Sequence, residues 1–491
     1  MKIQEILDGK PVLGLPKGHF IAGAFVKGSD GALMDSFDPG RGDVFAQFAN
    51  GTEADVSDAV SSARNAFQIW SQTPPAERAA VLNTAAAMLR QSAEHIAIIE
   101  TLDCGKPLNE SLADVRGAAR AFEYYAGATD KIQGDTFPLP HGYLGYSTYE
   151  PVGVTAHIIP WNFPISTTAR SVAPALAAGC SAVVKPAEQT PFSALLLAEL
   201  LSKAGLPAGV CNVVTGTGAR VGAPLVAHLD VDQVTFTGSV ATGQNVMRSA
   251  ADHVTRLVLE LGGKSPIVVL NDCDEHRALD GVLGAIFENA GQVCSAGSRL
   301  VIERGMHDRF VEQLVIRASN LTIGHGLRDP ELGPVNSPEH LAKIDGFIDR
   351  ARDRGAEILT GGTITSDPES GKGWFYRPTI VADRAYNDEL VREEVFGPVL
   401  TIQIADDAEH ALDLASDCQY GLVAGIYTEN VSAALSFARD IDAGQIYINE
   451  YFAGGIEVPF GGNKLSGFGR EKGLEGLKSY CKMKSVVARI D

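Results

Sequence analysis

The sequence predicts an α/β protein with two parallel-sheet domains and a small β module. Three observations carry this. Short β-branched runs alternate with helical stretches from residue 152, and a second series of the same kind begins after a junction near 260. Between the helical N-terminal region and the first series lies "GDTFPLPHGYLGYSTYEPVG", aromatic-rich and punctuated by Pro and Gly. A chain of 491 residues is also too long for one ordinary core.

From about 55 to 128, "EADVSDAVSSARNAFQIW" and "PAERAAVLNTAAAMLRQSAEHIAIIETLDCGK" space their apolar residues by three and four, which predicts helices. The aromatic segment at 129–151 reads as an extended hairpin. Then "VGVTAHIIP", "SAVVKPAEQTPFSALLLAELLSKAG", "VCNVVTGTG" and "QVTFTGSVATGQNVM" give the rhythm strand, turn, helix. The second series runs through "SPIVVL", "RLVIE", "VLTIQIA" and "GLVAGIYT". Both imply parallel sheets covered on two faces. The tail "YCKMKSVVARI" reads as a strand without a local partner, expected to pair with the hairpin of another subunit.

Forty-one Lys and Arg against 60 Asp and Glu leave a formal charge of −19, which argues against partners such as nucleic acid or an anionic membrane. The N-terminus lacks an apolar core behind a basic cap, and the apolar run at 171–184 is short for a span and holds Pro174. The expectation is a soluble, cytoplasmic protein. Seven scattered cysteines with no CxxC pair indicate neither a disulfide framework nor a metal site.

Gly216, Gly218 and Gly222 in "VVTGTGARVG" nearly match a dinucleotide fingerprint, with the last glycine one residue late. A stronger phosphate candidate is "VTFTGSVATG", where Gly238 and Ser239 end a strand as a helix begins and would offer free N–H groups to a pyrophosphate. "VVKPAEQTP" adds Lys185 and Glu188 at another strand end. A carboxylate there accepts ribose hydroxyls and repels a 2′-phosphate, which points to NAD over NADP; the other reading is a surface Lys and Glu around a helix start.

"PWNFP" holds Asn162, "LELGGKSP" holds Glu260, and "FENAGQVCSAGSR" holds Cys294 with Gly291 and Gly297 three residues to either side. Taken singly they also read as a turn residue, a salt-bridge partner and a core filler. Together they supply a thiol nucleophile, a carboxylate base and an amide donor to an oxyanion. The glycines imply that another group approaches the sulfur closely, and a helix terminus or cation nearby would lower the thiol pKa. Gly262 and Gly263 imply a flexible backbone beneath Glu260.

Over nearly its whole length the chain resembles the aldehyde dehydrogenase superfamily. "PWNFP", "KPAEQTP", "FTGS", "ELGGKSP", "GQVCSAGSR" and "EEVFGPV" occur in that family's order and approximate spacing. The resemblance implies a Rossmann-like NAD-binding domain (1–128 and 152–262), a second α/β catalytic domain (263–465) and an oligomerisation module (129–151 and 466–491) of a homodimer or homotetramer. It implies Cys294 as nucleophile, Glu260 as general base and Asn162 with the Cys294 N–H as oxyanion hole. It also implies Lys185 and Glu188 on the adenosine ribose, Ser239 on the pyrophosphate, Trp161 near the cofactor, and Glu394 with Phe396 on the nicotinamide side.

The expected activity is oxidation of a small-molecule aldehyde to its acid, through a Cys294 thioester hydrolysed by Glu260-activated water. A CoA-acylating enzyme has no need of Glu260, and a silent scaffold has no need of all three residues. A helix after Asn162 sets Phe163, Ser166, Thr167 and Arg170 on one face, so Arg170 is either an anchor for a carboxylate-bearing semialdehyde or the partner of an acid at the tunnel rim. Glu288, an acid six residues before Cys294, weakens the anchor reading. Tyr451, Phe452 and Phe460 offer an aromatic wall, and Val293 and Ser295 flank the nucleophile.

Overall fold

In the computed structural model, which describes residues 3–10, 12 and 14–491, the strand Val154–Ile158 is buried at every position but its last. A strand buried on both faces needs cover on both, and it has it. It is the centre of a mainly parallel sheet, flanked on one side by Ser181–Lys185 and Cys211–Val213 and on the other by Gln233–Thr237 and Arg256–Glu260. The chain therefore runs outward from the central strand, returns, and runs outward the other way. The reversal point lies between Val154–Ile158 and Gln233–Thr237, where α/β sheets hold their ligands.

One face carries the core of the helices Pro75–Gln91, Ala93–Cys104, Leu108–Ala126, Pro164–Ala178 and Phe192–Lys203, around Leu82, Phe122 and Leu176. The other face carries Glu53–Trp70, capped by a reciprocal box between Thr52 and Asp55, with Val56, Val60 and Val246 against the strands. A hairpin of His19–Ile21 and Ala24–Val26 extends one edge, and Gly467–Phe468 extends the other beside Arg256–Glu260.

Residues 261–265 lead into the second sheet, whose order runs outward both ways from Pro266–Val269. Arg299–Glu303, Val399–Ala405 and Thr379–Val381 lie to one side and Val423–Tyr427 and Gln445–Ile448 to the other, all parallel. The strand series expected from the sequence is present in both sheets.

The tail corrects one expectation. Cys481–Arg489 pairs antiparallel with Tyr143–Pro151 of the same chain, over nine residues from Cys481 opposite Pro151 to Arg489 opposite Tyr143. Its partner lies more than three hundred residues upstream, so nothing near it in the sequence announces the pairing. Thr136–Phe137 completes this three-stranded sheet. Only the last part of 466–491 belongs to it, because Gly467–Phe468 joins the first large sheet and the helix Gly473–Ser479 packs on Pro164–Ala178. Among the described residues no helix is long and apolar enough to cross a membrane.

Candidate active site

The carboxyl ends of the first sheet's strands converge. Trp161 and Asn162 follow Val154–Ile158, Lys185 ends the next strand, Gly238 and Ser239 follow Gln233–Thr237, and Glu260 ends Arg256–Glu260. Ser239 caps the helix Val240–Ala251, its hydroxyl accepting from Thr242 N–H. The remaining first-turn N–H groups of that helix stay open to an anion. Lys185 Nζ donates to Glu188 Oε2 at 2.8 Å, and the Gly218 N–H also reaches the Glu188 carboxylate. At Gly218 and Gly222 a Cβ would meet nothing within 4 Å, so this strand-end crevice has room beside the acid. Charge, helix terminus and space together fit a dinucleotide.

On the far side of the crevice Phe396 and Trp161 pack edge to face at 5.3 Å, with His340 against both rings. Glu394 Oε1 accepts from the Gly263 N–H at 2.9 Å, and burial pushes the Glu394 pKa up to about 7. Gly262 is pressed against that carboxylate, where a side chain would collide. The same space is bordered by Val293, which faces a small cavity with Glu394 and Phe396.

Cys294 lies in the loop between the helical turn Glu288–Gly291 and the strand Arg299–Glu303. Its flanking glycines have another purpose than the one expected. A Cβ on Gly291 would strike Gly397 O, and one on Gly297 would strike Ile267 Cδ1. They let the loop seat against neighbouring backbone and core, which fixes the sulfur. Burial pushes the Cys294 thiol up to about 11, which corrects the expected lowering: Arg170 pulls the other way and is outweighed.

Asn162 is 5% exposed, and its Nδ2 donates to Gln292 O at 2.9 Å, two residues before the thiol. The second Nδ2 proton remains available to donate. The Asn162 carbonyl is held by Asn289 Nδ2 at 3.0 Å and by Cys104 Sγ, so its backbone is fixed from two sides. Glu260 is 1% exposed, and neither carboxylate oxygen has a hydrogen-bond partner among the described residues. Burial first, and then Glu471, hold its pKa well above the ordinary carboxylate range. Its backbone is not loose: Glu260 pairs with Thr237 on one side and Gly467 on the other. Room for the side chain comes from Gly461, where a Cβ would stand 2.7 Å from Glu260 Oε1.

Arg170 is the paired residue and not the free anchor. Its Nε lies 2.5 Å from Glu471 Oε2, and its guanidinium stands 5.4 Å from the Phe460 ring centre. Phe163 carries Lys106 Nζ over its ring at 4.3 Å. Tyr451 donates to Ser295 O at 2.9 Å and meets Phe452 edge-on at 4.9 Å. Val293, Ser295, Tyr451 and Phe460 are buried, and Phe452 is half-buried.

Several features of the site gave no sequence signal. Asn289, Ala290, Phe396, Phe452 and Lys472 all hold positive φ, between 45° and 60°, without being glycine, and all five border this region. Non-glycine residues held in that conformation gather at functional sites. Glu471, Lys472, Glu110 and Tyr447 come from distant segments and look like ordinary residues in the chain.

A model of the aldehyde dehydrogenase family matches residues 25–486. The chain belongs to the aldehyde dehydrogenase family. It is 40% identical over 474 residues to aldehyde dehydrogenase family 2 member C4 of Arabidopsis thaliana, covering 95% of this chain and 94% of that protein. It is 39% identical to betaine aldehyde dehydrogenase of Bacillus subtilis, covering 95% and 96%. The P. syringae indole-3-acetaldehyde dehydrogenase AldA, solved in complex with NAD+ and IAA, superposes with a TM-score of 0.96 at 37% identity, covering 99% of each chain. The aldehyde dehydrogenase fold thus accounts for both large sheets and the crevice between them.

Proposed function

We propose that this enzyme's aldehyde oxidation runs through Cys294 as nucleophile, Glu260 as general base and Asn162 as oxyanion donor. The activity itself, oxidation of an aldehyde to the carboxylic acid with NAD, is that of the aldehyde dehydrogenase family. The observation that carries the assignment is the convergence of a half-buried thiol, a buried carboxylate with both oxygens unpartnered, and an amide N–H within one crevice.

Cys294 adds to the aldehyde carbon, and the oxygen that gains charge is met by Asn162 Nδ2 and the Cys294 N–H, donors already held in place. When bound, NAD supplies the hydride acceptor; the crevice residues that would hold it are Lys185, Glu188 and Ser239 on one side and Trp161, Glu394 and Phe396 on the other. Glu188 and its Lys185 partner support NAD over NADP, since a 2′-phosphate would meet a carboxylate. The acyl group left on Cys294 is a thioester. Glu260, whose raised pKa makes it a better proton acceptor than an ordinary carboxylate, deprotonates the water that hydrolyses it.

Rapid-mixing measurement of NADH separates the roles. Cys294→Ala binds NAD and forms no NADH. Glu260→Gln keeps a first-turnover burst and slows the steady rate by about 10²–10⁴. An unchanged steady rate in Glu260→Gln removes it as the base.

A further inference from the structure

Asn162, Gln292 and Asn289 form a closed circuit of amides, in which each side chain donates to the main-chain carbonyl of the next. Asn162 Nδ2 donates to Gln292 O at 2.9 Å, Gln292 Nε2 to Asn289 O at 2.9 Å, and Asn289 Nδ2 to Asn162 O at 3.0 Å. All three residues are buried. Each amide has two N–H groups to place, and the second ones are placed unequally. That of Gln292 donates to Pro334 O at 3.4 Å, and that of Asn289 to Gln292 O at 3.5 Å. Asn289 and Gln292 therefore have a carbonyl for every N–H, and among the described residues the circuit leaves one N–H over, on Asn162.

The circuit is also held from outside. Gln292 Oε1 accepts from the Asn336 N–H at 2.9 Å, and Glu110 Oε2 accepts from the Asn289 N–H at 3.0 Å. Asn289 and Ala290 stand in the left-handed region, at φ 45° and 54°. Neither is glycine, so the conformation persists because the surroundings impose it. The bonds at the Asn289 N–H and O do so from both sides of its Cα. Asn162 follows a strand of the first sheet, whereas Asn289, Gln292 and Cys294 lie between the helix Glu275–Phe287 and a strand of the second. The circuit is thus a tie between the two halves of the chain, closed two residues before the thiol.

We infer that Asn289 and Gln292 are positioning residues for the oxyanion, fixing the remaining Asn162 N–H relative to the Cys294 N–H. A side-chain amide is planar, so pinning one of its N–H groups to Gln292 O and its own residue's carbonyl to Asn289 settles where the other N–H points. A donor aimed in advance needs no reorganisation when charge develops on the substrate oxygen. The inference rests on Asn162 as the oxyanion donor.

The test follows Cys294 through two reactions that need no NAD. Acylation by 4-nitrophenyl acetate, read as nitrophenolate release, passes through a tetrahedral oxyanion; alkylation by iodoacetamide displaces iodide and forms none. Cys294→Ala supplies the blank for the other cysteines, all of which are free thiols. Asn289→Gly keeps the positive φ and removes the amide. It is expected to slow acylation roughly tenfold or more and to leave alkylation within about twofold. Gln292→Met is expected to do the same, and decides the matter where Asn289→Gly does not fold. In an Asn162→Ala background Asn289→Gly should cost little more, because the amide it aims is gone. Unchanged acylation in the single variants, equal slowing of acylation and alkylation, or an undiminished loss in the Asn162→Ala background overturns the inference. Normal acylation in Asn162→Ala alone removes instead the oxyanion reading on which the inference rests.

Discussion

Arg170 Nε stands 2.5 Å from Glu471 Oε2, two charges neutralising each other in a site that also holds Cys294 and Glu260. The acid is 2% exposed, so its charge has no water to fall back on. Taking away one partner, as in Arg170→Met or Glu471→Gln, is expected to destabilise the fold by about 3–5 kcal/mol in urea titration, and the double variant to recover most of that. Independent, additive losses would show that the pair is not coupled.

The same pairing bears on substrate choice. With its guanidinium engaged, Arg170 gives a carboxylate-bearing aldehyde no advantage over a neutral one of equal length. A large preference for the carboxylate in kcat/KM would restore Arg170 as an anchor.

Asn162→Ala removes the amide proposed to donate to the oxyanion and is expected to lower kcat by about 10²–10³ with a smaller change in KM. Asn162→Asp keeps the shape and loses the donor, so comparable losses in both variants would separate the hydrogen bond from packing. A normal kcat in either variant removes Asn162 from the mechanism.

The thiol gives a pH signature. A pKa near 11 means that only a small fraction of Cys294 is thiolate at neutral pH in the ligand-free enzyme, and this fraction grows about tenfold per pH unit below the pKa. Alkylation by iodoacetamide should therefore rise steadily from pH 7 to 10 without a plateau, and more steeply delayed in Arg170→Met, which loses the charge that favours the thiolate. A plateau near neutrality would mean a depressed pKa.

Glu188→Gln tests the ribose contact. The change removes the charge that repels a 2′-phosphate, so the ratio of NAD to NADP efficiency should fall severalfold, by a Coulomb effect of about 1 kcal/mol. An unaltered ratio counts against the contact.

What the sequence makes legible is what leaves local marks. Strands such as Ser181–Lys185 and Pro266–Val269 are short apolar runs between turn residues, and Ser239 sits where a strand gives way to a helix. What it hides is set by distance. Glu471 reaches Arg170 from three hundred residues away, and the tail finds its strand partner at 143–151. The left-handed backbone at Phe396, Phe452 and Lys472 is imposed by surrounding structure against local preference, so no glycine marks it. Gly291 and Gly297 are visible in the sequence, but whether they admit a ligand or admit neighbouring backbone is decided by Gly397 and Ile267, which only the fold brings near.

Residues 261–265 connect the strand that ends at Glu260 to the sheet whose second strand follows Cys294. Glu260 and Cys294 are thus mounted on different halves of the molecule, and their alignment is a reading of how the halves are registered. A slip of about 1 Å between them would break no hydrogen bond inside either sheet and would still misplace the water proposed to sit between carboxylate and thioester. Turnover is therefore the most fragile property of the fold: with rising denaturant it should fade while circular dichroism still reports both sheets intact.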